Sequence, residues 1–408
     1  MTTGNALVIG GGIAGPVLGL ALRRAGIEAT VYEAYAGPAE GVGSVLTIAP
    51  NGFAALGITG LDTTVRRIGQ PTRRMVVANG RGRELGELPG LPGLEASQTM
   101  WRSDLYGPLH DHAIAGGVPI VYGKRLVGAD ETPGGITARF ADGTTASGDV
   151  LIGADGIRST VRTLIDPGAP GPRHVPLMNF DGLADHAVAA DPDDLWMAFG
   201  RRGFLGYWLQ PDGRTGWFAN LPHAQPMTAA QARRVPAAEW LRRLREVYAG
   251  EVPATDLLRH TSPDRLIVLG TVEIMPSVPR WHRGRMVLVG DAVHAPSPSS
   301  GQGASLAIES AVQLARCLRD LPDPTRAFAA YERLRRPRVE RVIRQAGRTN
   351  SGKLLGPVGG ALLSLLLPLA LRTALRPERT LGYQHRHRID WDEAVGADAG
   401  PLSGARTR

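Results

Sequence analysis

The sequence predicts an α/β (α+β) chain: a Rossmann-like dinucleotide-binding domain, an antiparallel β-sheet domain inserted into it, and C-terminal helices. Three observations carry this prediction. The stretch Ala6–Glu33 reads as strand, glycine turn, helix and strand. Two later apolar runs, Val150–Gly153 and Met286–Val289, each deliver an aspartate and a glycine just past their ends. Between residues 174 and 280 the pattern changes to short aromatic-rich runs punctuated by Gly and Pro, which is antiparallel meander chemistry.

The opening stretch places a strand at Ala6–Ile9, a helix over about Ile13–Ala25 and a second strand at Ala29–Glu33. Its turn carries G-x-G-x-x-G as Gly10, Gly12 and Gly15, with Ile13 and Ala14 inside the motif. In such turns the first glycine permits the tight bend, the second lets backbone approach a pyrophosphate, and the third lets helix and strand pack closely. The phosphates would meet free N–H groups at the positive end of the helix. Glu33 lies 18 residues past Gly15, where its carboxylate could accept hydrogen bonds from ribose hydroxyls. This identifies a dinucleotide site but not which dinucleotide.

A small-residue loop (Ala34–Ser44), the segment Val45–Ile48 and a helix from Asn51 to about Leu56 come next. Met75–Ala78 reads as a strand, Asn79–Gly82 as a turn, and Arg83–Leu94 as an excursion into the second domain. The chain returns through Trp101–Leu105 into a helix to about Ala115, with Arg102, Leu105 and Leu109 on one face. Hairpin turns at Gly134-Gly135 and Asp142-Gly143 precede the continuous apolar strand Val150–Gly153. That strand presents Asp155 and Gly156 at its carboxyl end, where open α/β sheets bind ligands. Asp155 could equally cap a helix over Ser159–Leu164.

In the sheet region the runs Leu195–Phe199, Phe204–Leu209 and Gly216–Leu221 crowd aromatics into a chain that is 5% aromatic. They serve either to pack the sheet on its own core or to roof an apolar pocket; Phe199, Tyr207, Trp208 and Trp217 are the substrate candidates. A helix over Ala237–Tyr248 and a strand over Ile267–Gly270 close the domain.

The strand Met286–Val289 leads to Gly290, Asp291 and His294, then Pro298-Ser299-Ser300-Gly301-Gln302-Gly303 and a helix to about Leu318. Asp291 could hold sugar hydroxyls, and the Gly301–Ala304 amides could stabilise negative charge on a ring system. His294 reads as structural rather than catalytic. Tyr331–Arg348 is a basic helix. Leu354–Leu371 has 18 residues without a charge but is interrupted by Pro357 and Pro368. It reads as a docked helix ahead of interfacial membrane contact, and a membrane span ranks last. Ala397–Arg408 reads as a frayed tail.

Composition narrows the function classes. Cys317 is the one cysteine, so no internal disulfide exists and a reducing, cytoplasmic location is the default. The net charge of +8 comes almost wholly from arginine, Lys124 and Lys353 being the only lysines. No aromatic-interleaved basic motif accompanies it, which argues against nucleic acid. No metal site is expected.

The trio GGGIAG with Glu33, GADG with Ser159 and Arg162, and GDAVH…PSSGQG, in this order and spacing, resembles the single-component FAD-dependent aromatic hydroxylases, the p-hydroxybenzoate-hydroxylase-like (group A) monooxygenases. The resemblance covers roughly residues 5–350. It implies that Gly10, Gly12, Gly15 and Glu33 bind the ADP half of FAD, and that Arg102, in R-x-x-L-x-x-x-L, contacts its flavin side. Asp155 and Gly156 match a motif implicated in FAD and nicotinamide nucleotide binding. Gly290 and Asp291 would hold the ribityl chain, while Pro298, Gly301, Gln302 and Gly303 would face the isoalloxazine, leaving Pro298, Gly301 and Gly303 as flavin-facing catalytic candidates. Ala34 stands where relatives often carry a basic residue, and Ser305 where many carry asparagine.

The implied chemistry is hydroxylation of an aromatic or polycyclic, polyketide-like small molecule, using NADH or NADPH and O2 through a flavin C4a-hydroperoxide. The cofactor carries the hard step, and the protein holds the ring and excludes water. The domains divide as 1–73, 97–173 and 281–348 for FAD, 74–96 and 174–280 for the substrate sheet, and 349–408 for the C-terminal helical segment and tail. Alternatives are a flavin-dependent epoxidase, a saturating reductase, a quinone hydroxylase at a membrane surface, and a non-catalytic FAD-binding protein. A halogenase is disfavoured by the absence of W-x-W-x-I-P.

Overall fold

The computed structural model describes residues 3–37, 44–352, 366–367 and 377–396. Asn5–Ile9 lies inside a six-stranded sheet, parallel to Glu28–Tyr32 on one side and Val150–Gly153 on the other. Ile120–Val121 and the hairpin of Met286–Leu288 with His282–Arg283 complete the edges. Every residue of Val150–Gly153 is buried, as a parallel strand covered on both faces requires. Helices Ala14–Arg24 and Gly303–Asp320 pack on each other and on the sheet through Val17, Ala21, Ala307 and Ala311. A small antiparallel meander over Leu126–Gly148 and a three-stranded sheet built on Val45–Ile48, Ser97–Trp101 and Gln70–Thr72 flank this body.

The second large sheet has seven strands in the order Leu266–Ile274, Arg173–Ala184, Thr215–Pro222, Phe204–Leu209, Asp194–Phe199, Arg74–Asn79, Glu84–Pro89. Alternation of side chains along a strand splits it into two faces. One face carries Phe180, Tyr207 and Trp217 against Trp240, Leu241 and Leu257 of two covering helices, forming a separate core. The other carries Asn179, Asp181, Met197, Phe218 and Asn220 toward a cavity shared with the first sheet. Three aromatic rings lie over the glycine directly opposite on the neighbouring strand: Trp217 over Gly182, Phe218 over Gly206 and Trp208 over Gly216. A Cβ on any of these glycines would fall within 2.4 Å of the ring. Trp208 also meets Trp101 at a ring separation of 5.2 Å, joining the sheet to the start of helix Arg102–Ala115.

Several elements run longer than their sequence pattern. The basic helix extends over Pro324–Gly352 and the closing strand over Leu266–Ile274. The 12-residue strand Arg173–Ala184 carried no recognised signal, because Pro176, Asn179 and Gly182 break its alternation. Apart from residues 366–367, Leu354–Leu371 lies outside the described residues, as does Ala397–Arg408. No helix among the described residues is long and apolar enough to cross a membrane.

Candidate active site

A single continuous cavity of about 820 Å3 runs from the glycine turn to the face of the seven-stranded sheet. At one end the turn is built by close backbone approach. Gly10 adopts φ 111°, and a Cβ there would sit 2.4 Å from the Ala154 carbonyl oxygen. At Gly15 a Cβ would meet the Gly10 oxygen at 2.0 Å. At Gly12 it would meet no atom within 4 Å and would project into the cavity. Gly15 and Gly290 therefore shape the wall from behind, while Gly10, Gly12, Ile13 and Ala14 form its surface.

Glu33 also lines the cavity, with Oε2 accepting from the Gly11 N–H at 2.7 Å and Oε1 from the Tyr35 N–H at 2.9 Å. These bonds fix the carboxylate and leave each oxygen a further lone pair for hydroxyl donors.

Asp155 is not the N-cap of the helix that follows, a place Ser159 takes, but it supports the first turn from outside. Its Oδ2 accepts from the N–H groups of Thr160 and Val161 at 2.7 and 3.1 Å, at the start of helix Thr160–Ile165, where Ser159 is the N-cap. Its Oδ1 is buried without a partner among the described residues, and the residue lines the cavity with Gly156. Burial raises its pKa against these hydrogen bonds. Arg162 donates to the carbonyls of Ala292 and Ile157, both at 2.8 Å, tying the second motif to the third.

Helix Arg102–Ala115 presents Arg102, Tyr106 and His110 to the cavity at i, i+4 and i+8. Leu105 and Leu109 pack in the core instead, so the face expected to unite Arg102 with them splits in two. The Arg102 guanidinium lies 5.4 Å from the Tyr106 ring centroid, and its Nε is buried without a partner among the described residues. His110 bridges the Gly11 carbonyl and the Tyr122 hydroxyl. Tyr106 and His110 were missed by sequence reasoning; the i+4 repeat from Arg102 was the available signal.

The third motif places Asp291, Pro298 and Gly301–Ala304 on the cavity wall. Burial raises the Asp291 pKa, and Arg102 opposes the shift. The Gln302 side chain turns away to accept from Asn51 Nδ2 at 3.0 Å. Asn51 also donates to Glu309, which pairs with Arg335 and Arg338, each at 2.7 Å, in a fully buried cluster. His294 is buried, shares a hydrogen with Ser310 Oγ at 2.8 Å, and is held neutral by burial, its pKa lowered to about 3. Ser305 leaves the cavity wall and accepts from the Ala49 N–H at 3.0 Å. Among the described residues no cluster of His, Cys, Asp or Glu could hold a metal ion.

The four aromatic substrate candidates are not on the cavity wall. Tyr207 and Trp217 face the covering helices, Trp217 fully buried with its indole N–H on Thr261 Oγ1 at 2.9 Å. Phe199 and Trp208 share the cavity face but are spent on Phe204 and Trp101. Met197, two residues before Phe199, and Phe218, level with the residue two before Trp208, do line it.

A match to the FAD binding domain family spans residues 3–346. The chain belongs to this family. It is a group A flavoprotein monooxygenase, an FAD-dependent oxidoreductase of the hydroxylase kind. It is 32% identical over 364 residues to the aurachin C monooxygenase/isomerase of Stigmatella aurantiaca, covering 87% of this chain and 90% of that protein. To the FAD-dependent urate hydroxylase of Klebsiella pneumoniae it is 31% identical over 349 residues, with 84% and 88% covered. The crystal structure of Klebsiella pneumoniae HpxO complexed with FAD and uric acid is similar at a TM-score of 0.81 and 26% identity, covering 93% of this chain and 97% of that one. The residues present suit the cofactor. Gly12 opens on the cavity, Arg102 Nε and Asp155 Oδ1 lack partners among the described residues, and the helix N-terminus at Gly303 favours negative charge.

Proposed function

We propose that this enzyme hydroxylates a compact, largely apolar aromatic or heteroaromatic molecule held between the sheet face and the Pro298–Ala304 loop. The observation that carries the reading is the continuity of the cavity, which joins a dinucleotide cradle to an apolar face of Met75, Leu195, Met197 and Phe218. Bound FAD supplies hydride acceptance from NAD(P)H and activation of O2.

The chain's own residues supply the rest. Gly10, Gly12 and Glu33 hold the ADP half, and Asp291 and Arg102 the middle of the cofactor. The amides at Gly303 and Ala304, at the start of an 18-residue helix, favour negative charge on the ring. The apolar sheet face keeps water from the reacting centre. That residues 74–96 and 174–280 form a substrate domain is supported by their strands sharing the seven-stranded sheet.

Purified protein carrying FAD, offered a panel of phenolic, quinone and polyketide-like compounds, should oxidise NAD(P)H in step with hydroxylated product carrying label from ¹⁸O2. NAD(P)H oxidation that no aromatic compound stimulates would sink the proposal.

A further inference from the structure

Helix Arg102–Ala115 carries one buried histidine that touches the glycine turn. His110 is 2% exposed and lines the cavity. Its Nε2 bonds the Gly11 carbonyl, and its Nδ1 lies 2.6 Å from the Tyr122 hydroxyl. A carbonyl oxygen only accepts, so Nε2 carries the ring hydrogen. Nδ1 of the neutral ring is then the acceptor, and Tyr122 donates to it. Tyr122 follows the edge strand Ile120–Val121; burial, with Asp111 and Glu33 nearby, raises its pKa, so the hydroxyl keeps the proton it shares. The bond at Nδ1 thereby fixes the tautomer that the bond at Nε2 needs.

The turn has reason to be anchored at this point. Gly11 and Gly12 are joined by a peptide with no Cβ on either side, where the backbone is least restrained. The peptide before it is held by its amide, because the Gly11 N–H donates to Glu33 Oε2 at 2.7 Å. The Gly11–Gly12 peptide is held by its carbonyl, on His110. In a planar trans peptide the C=O and N–H point in opposite directions. Fixing the Gly11 oxygen therefore turns the Gly12 N–H away from the ring. That N–H has no partner among the described residues, and a Cβ on Gly12 would meet no atom within 4 Å.

We propose that His110 is a positioning residue for the cofactor: its grip on the Gly11 carbonyl aims the Gly12 N–H at the FAD pyrophosphate, and Tyr122 sets the ring for that grip. This rests on the proposed seating of the ADP half at the glycine turn. A phosphate oxygen that meets an amide already aimed at it gains a charge-assisted bond without having to order the peptide first. Without His110 the Gly-Gly link is free to rotate, and the same bond must overcome that freedom.

The test titrates flavin-stripped protein with FAD and with riboflavin, which has no phosphate, and reads binding from flavin fluorescence. His110→Phe keeps a ring and removes both nitrogens. FAD should bind it about tenfold more weakly, the worth of one hydrogen bond to a charged group, with riboflavin binding unchanged. His110→Gln can place an amide N–H where Nε2 stood and should stay within about threefold of native. In His110→Asn the amide nitrogen reaches only the place of Nδ1, so the loss should match that of His110→Phe. Native-like FAD affinity in His110→Phe or His110→Asn overturns the proposal. So does an equal loss for FAD and riboflavin, or a His110→Gln protein no better than His110→Asn. If His110→Phe fails to fold, the contrast between Gln and Asn decides. Gly12→Ala, titrated alongside, tells the two failures apart. Unchanged FAD affinity in Gly12→Ala removes the ADP half from the turn and the proposal with it. A weakened Gly12→Ala beside an unchanged His110→Phe removes His110 alone.

Discussion

Gly12→Ala and Gly15→Ala add the same methyl group three residues apart and should fail in opposite ways. At Gly15 the new Cβ would lie 2.0 Å from the Gly10 carbonyl oxygen and 3.5 Å from Val31 Cγ1. The first contact is backbone in a buried turn, so the helix must shift, at a cost of about 1–3 kcal/mol or more. At Gly12 the Cβ meets nothing within 4 Å and the backbone is outside the left-handed region. The apoprotein should therefore change by no more than about 0.5 kcal/mol. In the proposed placement of FAD, Gly12→Ala fills the space that the pyrophosphate would approach. FAD at 100 times its Kd stabilises the native protein by about 2.7 kcal/mol, and a hundredfold loss of affinity leaves about 0.4 kcal/mol. Thermal unfolding of flavin-stripped protein, with and without added FAD, separates the cases. Gly12→Ala should melt with the native apoprotein and gain almost nothing from FAD, while Gly15→Ala should melt lower even without it. A Gly12→Ala protein stabilised by FAD like the native one would refute the placement of the phosphates.

Three further outcomes follow from buried charge. Asp291→Ala should keep the fold and lose FAD on gel filtration; full flavin occupancy would remove Asp291 from the cofactor site. Glu309→Ala strands Arg335 and Arg338 without their counter-charge and should cost about 3–5 kcal/mol in urea unfolding, with less flavin retained because Asn51 and Gln302 lose their anchor. His294, His385 and His387 have pKa values lowered by burial to about 3, 4 and 4. The unfolded chain binds protons that these groups refuse, so stability should fall as pH drops below about 6.5, by up to about 1.4 kcal/mol per pH unit for each. His294→Gln should make that acid limb shallower by one proton; an unchanged slope would show that His294 titrates normally.

The three motif stretches that line the cavity were legible because each combines a short apolar strand with glycines and an acid at fixed spacing, all local in sequence. Arg162 illustrates what was half legible. Its place in the second motif could be read, but not its grip on the Ala292 carbonyl, 130 residues away. The substrate side was illegible for a related reason. Every aromatic in the meander fits a strand, but which face it takes depends on register, and a single-residue shift exchanges the faces. Trp217 and Phe218 are neighbours in the chain, yet one is core and the other is cavity wall. Asp181 escaped notice because its strand lacks alternation, and only pairing with Phe218 on one side and Ile267 on the other sets its direction.

The ring-over-glycine pairs have a consequence for how such an enzyme changes its diet. The Phe218 ring forms part of the cavity floor and rests on Gly206, where a Cβ would come within 2.1 Å of the ring. The height of that floor is thus set by a residue beneath it that no substrate touches. Any side chain at position 206 must lift or tilt the ring, shrinking the chamber while its lining chemistry stays the same. A lineage exploring new substrates could resize this pocket through a hidden shim, leaving every contacting residue in place.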